Sequence, residues 1–126
     1  MWQSVSLVAC GAILGATARW GLNLILDPLL EFLSLGTLVA NLLGCFIIGM
    51  LLAIFWQFPQ ISNEWRLFLM TGFLGSFTTF SSFSAEVIEN FLSEKWLTVF
   101  SLISIHLVGG IFFTMFGLFF CRILLK

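Results

Sequence analysis

Charge is what this sequence has least of. Only 9% of its 126 residues are charged, against about a quarter in an ordinary soluble domain. Five basic side chains stand against six acidic ones, so there is no basic field to hold nucleic acid or an anionic lipid surface. The three cysteines, Cys10, Cys45 and Cys121, are odd in number and widely spaced in apolar stretches. They fit neither a disulfide framework nor a zinc site and read as small packing residues. No metal-ligand cluster, catalytic triad or phosphate-cradling loop is visible, which makes an enzyme the least favoured class. The N-terminus lacks a positive n-region and its apolar run is too long for a signal peptide, so the first span is expected in the mature protein.

What the chain does have is apolar length. It is 60% hydrophobic, with a mean hydropathy of +1.13. A span needs roughly 20 apolar residues, and four stretches qualify: about 3–26, 33–58, 67–91 and 96–123. The expected architecture is one all-α transmembrane domain over residues 1–126, with four helices per subunit and the third broken near its middle. The connections Asp27–Phe32, Pro59–Arg66 and Leu92–Lys95 are short, which sets neighbouring helices antiparallel. Trp2, Trp20, Trp56, Trp65 and Trp96 all fall near span ends, where interfacial tryptophans sit.

The stretch that organises the chain is 72–84, Gly72 to Ser84. It lies within an apolar span, yet it carries glycines, phenylalanines and a run of serines and threonines. Hydroxyls at membrane depth cost stability unless they face protein, water or a substrate. Gly72 and Gly75 lower helix propensity, and Thr78 and Thr79 offer oxygens that can cap a new helix start. The expectation is a helix broken near Gly75–Thr79 and restarted at Phe80. Such breaks are where transport proteins place ion sites, cations at the carbonyl end and anions at the amide end.

Around it, Gly11 and Gly15 in the first span, and Gly36, Ala40 and Gly44 in the second, form stripes that permit close helix approach. Arg19 is either an interfacial arginine that snorkels to the headgroups or a fixed charge that draws anions in or pins the broken helix. Thr37 and Asn41 stack on one face. The Asn41 amide is either interhelical glue or an anion donor. Phe80 and Phe83, three apart, are either packing or a pair of electropositive ring edges, with Thr79, Ser82 and Glu86 on an adjacent polar face. On the fourth span His106, Gly110, Thr114 and Gly117 share a face. His106 is either a structural hydrogen-bonder or part of a polar track with Thr114.

Orientation signals are nearly balanced. Arg66, Arg122 and Lys126 mark one side of the membrane, Lys95 and Arg19 the other. Three against two is a weak bias. It favours insertion both ways round and an antiparallel homodimer large enough to enclose aqueous paths.

The Gly11–Arg19 segment, the run Gly36-Thr37-Leu38-Val39-Ala40-Asn41-Leu42-Leu43-Gly44 and the 72–84 motif resemble the Fluc (CrcB-type) fluoride channel family. The resemblance extends over essentially the whole chain. It implies a dual-topology homodimer in a bacterial inner membrane, with two pores for passive, selective fluoride exit that relieves fluoride toxicity. It further implies Asn41, Phe80 and Phe83 as pore-lining residues, with a polar track on Thr37, Ser82, His106 and Thr114. A structural sodium ion at the dimer centre, on the backbone carbonyls of Gly75 and Thr78, follows from the same resemblance. Where many relatives carry tyrosine on the fourth helix, this chain has His106. The runner-up is a four-helix proton-coupled exporter of cationic drugs. It needs a membrane-embedded carboxylate, which the first span lacks. A non-transporting assembly subunit would not need hydroxyls, Asn41 and a broken helix together.

Overall fold

The computed structural model describes residues 1–126, all helix and connections without a strand. Helix α1 (Trp2–Leu26) runs into a 3₁₀ turn at Asp27–Leu29. Pro28 sits at the start of that turn, where its missing N–H costs nothing. Helix α2 (Leu35–Gln57) begins at Ser34, whose hydroxyl accepts the Thr37 amide. Pro59 follows shortly after it ends.

The third helical run comes in pieces. A short α3 (Asn63–Arg66) passes into a widened π-helical stretch, Leu67–Leu74. One α-helical turn, α4 (Gly75–Phe77), follows, and then Thr78 (φ −84°, ψ 155°) and Thr79 (φ −149°, ψ 108°) are extended. Helix α5 (Phe80–Leu92) resumes the path. The fourth run comprises α6 (Trp96–Ser104), a π-helical stretch Ile105–Gly109 and α7 (Gly110–Leu124), with no extended residue between them.

Three helices are long and apolar enough to cross a membrane: Trp2–Leu29, Leu35–Gln57 and Trp96–Leu124. Only 21 of 126 residues are buried, so most large apolar side chains face outward, as they do when lipid or another chain surrounds them. Close backbone contact joins the helices alongside side-chain packing such as Phe46 on Phe116 and Phe120. A methyl group on Gly72 would lie 2.7 Å from the Val8 carbonyl oxygen and 3.0 Å from the Gly11 Cα, which locks the third run against α1. A methyl on Gly49 would collide with Thr114 and Leu118, and one on Gly117 with Phe46. These two glycines bring α2 and α7 together, and Gly49 belongs to none of the stripes read from the sequence.

The glycines of the third run do not interrupt it by their conformation. No glycine has positive φ, and Gly75 is helical at φ −60°, ψ −26°. Gly72 serves close packing, and the helical path is lost only at the two threonines.

Candidate functional site: a helix end held by a neighbouring asparagine

Leaving the helical path strips Thr79 of its backbone partners, and each buried unpaired group would cost about 1–3 kcal/mol. One side chain on α2 supplies both. The Thr79 N–H donates to Asn41 Oδ1 at 2.7 Å, and Asn41 Nδ2 donates to the Thr79 carbonyl at 3.1 Å. The Thr79 hydroxyl oxygen accepts the Ser82 amide at 3.1 Å and lies 3.1 Å from the Ser82 hydroxyl, an N-cap for α5. Thr78 behaves differently from the expected cap. Its amide and its hydroxyl both donate backward to the Leu74 carbonyl, at 3.1 and 2.9 Å. A threonine hydroxyl reaches the carbonyl four residues back more readily than an amide ahead of an extended turn.

These substitutions free two carbonyls. In a continuous helix the Thr79 amide would bond Gly75 and the Ser82 amide would bond Thr78. Here they go to Asn41 and to the Thr79 hydroxyl instead. The next carbonyl along, Ser76, accepts Arg19 Nε at 3.1 Å. Arg19 is thus tied to the C-terminal end of α4, where a cation is favoured by the helix dipole.

Asn41 also reaches the fourth run. Its Nδ2 lies 3.1 Å from His106 Nδ1. His106 is 8% exposed and its Nε2 is buried with no partner. The Phe83 ring covers the imidazole, with centroids 4.4 Å apart and planes tilted by 31°. Phe83 meets Phe80 edge-on at 5.5 Å. The two phenylalanines do not share an environment, since Phe83 is 6% exposed and Phe80 is 73% exposed. Phe80 borders an open groove of about 380 Å³ together with Asn41, Gly75, Thr78 and His106.

The remaining candidates lie apart. Thr37 belongs to a polar network at the start of α2. Asn23 Nδ2 donates to Asp27 Oδ2 at 2.9 Å and reaches Ser34 and Thr37. Asp27 Oδ1 accepts the Gly36 amide at 2.8 Å and the Ser34 hydroxyl at 2.9 Å, while Glu86 Oε1 accepts the Ser34 amide at 2.6 Å. Thr37, Ser82 and Glu86 line a polar cleft of about 540 Å³ whose rim carries Glu31, Glu89 and Lys95. Sequence reasoning passed over Asn23, Asp27 and Ser34. The signal was present: Asn23 and Asp27 are four apart at the end of an apolar span, so they share a face. Thr114 donates its hydroxyl to the Gly110 carbonyl at 2.9 Å and joins His106 only along a shallow groove of about 350 Å³.

Asn41, Thr79, Ser82, Phe80, Phe83 and His106 are therefore brought together. The assembly offers amide, hydroxyl and imidazole groups beside ring edges, the kind of modest, uncharged donors that suit a small anion better than a cation.

Comparison with known proteins agrees on one family. The sequence profile described as "CrcB-like protein, Camphor Resistance (CrcB)" matches residues 6–118. A protein of Mannheimia succiniciproducens named fluoride-specific ion channel FluC is 59% identical over 97% of this chain and 96% of its own. A Pasteurella multocida protein of the same name is 60% identical over 95% of this chain and 94% of its own. One from Chromohalobacter salexigens is 45% identical over 94% of this chain and 89% of its own.

Proposed function

The chain belongs to the CrcB family, and from that premise we propose that it is a fluoride-selective channel, passing fluoride passively across the membrane in which its apolar helices lie. The observation that carries this reading is the near-full-length similarity to proteins named fluoride-specific ion channels. In a bacterium such a channel sits in the inner membrane and exports fluoride to relieve its toxicity.

A small anion holds its water tightly, so a pore must replace hydration with many weak donors. Phe80 borders the groove that Asn41 and His106 also line, and Phe83 packs between the Phe80 ring and the imidazole. Thr37 and Ser82 line the cleft at one end of the proposed path, with Thr114 on the far side of His106. Arg19 keeps a positive charge beside α4.

The groove holding Phe80 is open on a single chain, which supports closure by a second copy in an antiparallel homodimer with two pores. The helical discontinuity at Thr78–Thr79 then lies at the dimer centre. The residues there fit a sodium ion. The Gly75 and Thr78 carbonyls have lost their usual amide donors, and both residues border the open groove. Bound sodium would supply a positive charge that draws carbonyls of both copies together. The runner-up, a proton-coupled exporter, needs a free carboxylate. Asp27 Oδ1 instead accepts the Gly36 amide, and Glu86 Oε1 accepts the Ser34 amide at the start of α2.

The test is efflux from liposomes containing the purified protein. Fluoride should leave much faster than chloride; equal rates, or none, overturn the reading. For the dimer, single cysteines beside Lys126 in a cysteine-free background should be labelled from both sides of the membrane, and labelling from one side alone rules out mixed insertion. For sodium, dimer stability should rise with its concentration by mass action, more than with a bulky organic cation at equal ionic strength.

A further inference from the structure

Every hydrogen-bonding group of the Asn41 side chain that the structure engages is engaged within the chain. A backbone N–H can only donate and a backbone carbonyl can only accept. The Thr79 N–H against Asn41 Oδ1 and the Thr79 carbonyl against Nδ2 therefore fix which end of the amide is which. The amide nitrogen must then be the group 3.1 Å from His106 Nδ1. It has two hydrogens, and they point to the Thr79 carbonyl and to the imidazole.

Because Nδ2 is a donor, His106 Nδ1 must be the acceptor. An imidazole that accepts at Nδ1 carries its proton on Nε2. Imidazolium is disfavoured in this arrangement for the same reason, since an Nδ1–H would face another N–H. Nε2–H is then a donor buried without a partner, in a residue that is 8% exposed and beneath the ring of Phe83. Unpaired buried donors are rare and call for an explanation, such as a ligand that comes and goes.

We propose that Asn41 is a positioning residue: it holds His106 as the Nε2–H tautomer, and the permeating anion takes its hydrogen bond from His106 rather than from Asn41. This rests on the channel reading and divides the labour within it. Asn41 ties α2, the extended Thr78–Thr79 segment and the fourth run into one arrangement, and the imidazole does the donating. Direct donation by Asn41 would require it to release either Thr79 or His106.

His106 is the only histidine, so ring-nitrogen NMR of the ¹⁵N-histidine-labelled protein in lipid reports this residue without assignment. The expected spectrum shows a protonated Nε2 and an unprotonated Nδ1. Fluoride, but not chloride at equal ionic strength, should shift the Nε2 resonance. In Asn41→Asp the carboxylate accepts where the amide donated, so the proton should move to Nδ1. A wild-type spectrum with the proton on Nδ1 overturns the proposal without recourse to any variant. So does a protein that passes fluoride in liposomes while its Nε2 resonance ignores the ion. A protein with the expected tautomer that passes no fluoride leaves the lock standing and overturns the channel reading instead.

Discussion

Both the run from Asn63 to Leu92 and the run from Trp96 to Leu124 contain a widened π-helical stretch, at Leu67–Leu74 and Ile105–Gly109, yet only the first loses its helical path. Glycine content does not separate them. The fourth run holds Gly109, Gly110 and Gly117 and stays helical throughout, and Gly72 and Gly75 are helical in the third. What separates them is the supply of side-chain partners. At Thr79 an asparagine from α2 and a cap at Ser82 replace the lost backbone bonds. At the π stretch of the fourth run the same asparagine meets only the His106 side chain and takes over no backbone bond, and there the irregularity is absorbed by wider turns. In a membrane, where water cannot satisfy a freed amide, an interruption falls where another helix can answer it.

The largest effect should come from the rings beside the interruption. Phe80→Ile or Phe83→Ile keeps apolar bulk but removes the electropositive edge, and fluoride flux in liposomes should fall at least tenfold, a barrier increase of about 1.4 kcal/mol. Phe119→Ile, a ring on the uninterrupted run that is 49% exposed, should leave flux unchanged. Equal behaviour of all three would make the rings ordinary packing.

Next in size is the α2–α7 contact that keeps the uninterrupted run in place. Gly49→Ala forces a methyl into Thr114 and Leu118 and should cost roughly 1–3 kcal/mol by overpacking. Within one subunit Gly75→Ala meets nothing closer than the Met70 carbonyl oxygen at 3.6 Å, so the dissociated subunit should be unaffected or gain up to about 1 kcal/mol from helix propensity. Denaturation in detergent would rank the pair, and the opposite order would break the argument that Gly75 is not there for space.

Paired threonines sharpen the contrast further. Thr79→Val removes the cap on Ser82 and should cost about 1 kcal/mol. Thr114→Val removes only a hydroxyl bonded back to a helical carbonyl, and should stay within about 0.5 kcal/mol of the parent protein. The smallest change is at Glu94, the one non-glycine residue with positive φ, at 58°. Glu94→Gly relieves a left-handed conformation but adds chain entropy to the unfolded state, so stability should rise by only about 0.3 kcal/mol, measurable as a small shift in melting temperature.

The all-helical membrane character was legible because composition decides it: so little charge and so much apolar length admit few other folds. Helix ends were legible near Pro28 and Pro59, where proline chemistry is local. The importance of 72–84 was legible in its hydroxyls. The detail was not. That Thr78 bonds backward while Thr79 caps depends on backbone angles that neighbouring threonines do not announce. Asn41 makes three hydrogen bonds to two residues on two other runs, and spacing along α2 says nothing about them. Asn23, Asp27 and Ser34 looked like the end of a span and its connection, and only folding brings Asp27 and Ser34 onto the amides that open α2, with Asn23 bonded to their side chains. The π stretches left no mark, since Leu67–Leu74 reads as an ordinary apolar helix.

The grip of Asn41 on Thr79 has a consequence for motion. Two extended residues between helices ordinarily make a hinge, and a hinge exchanges its amide protons early. Here the Thr79 amide is released only when α2 lets go of it, so opening that joint is coupled to the dislocation of a neighbouring helix and of the imidazole bound to the same side chain. The least regular backbone in the molecule is thereby tied to two neighbouring helical runs, and the joint is built as a weld rather than a hinge.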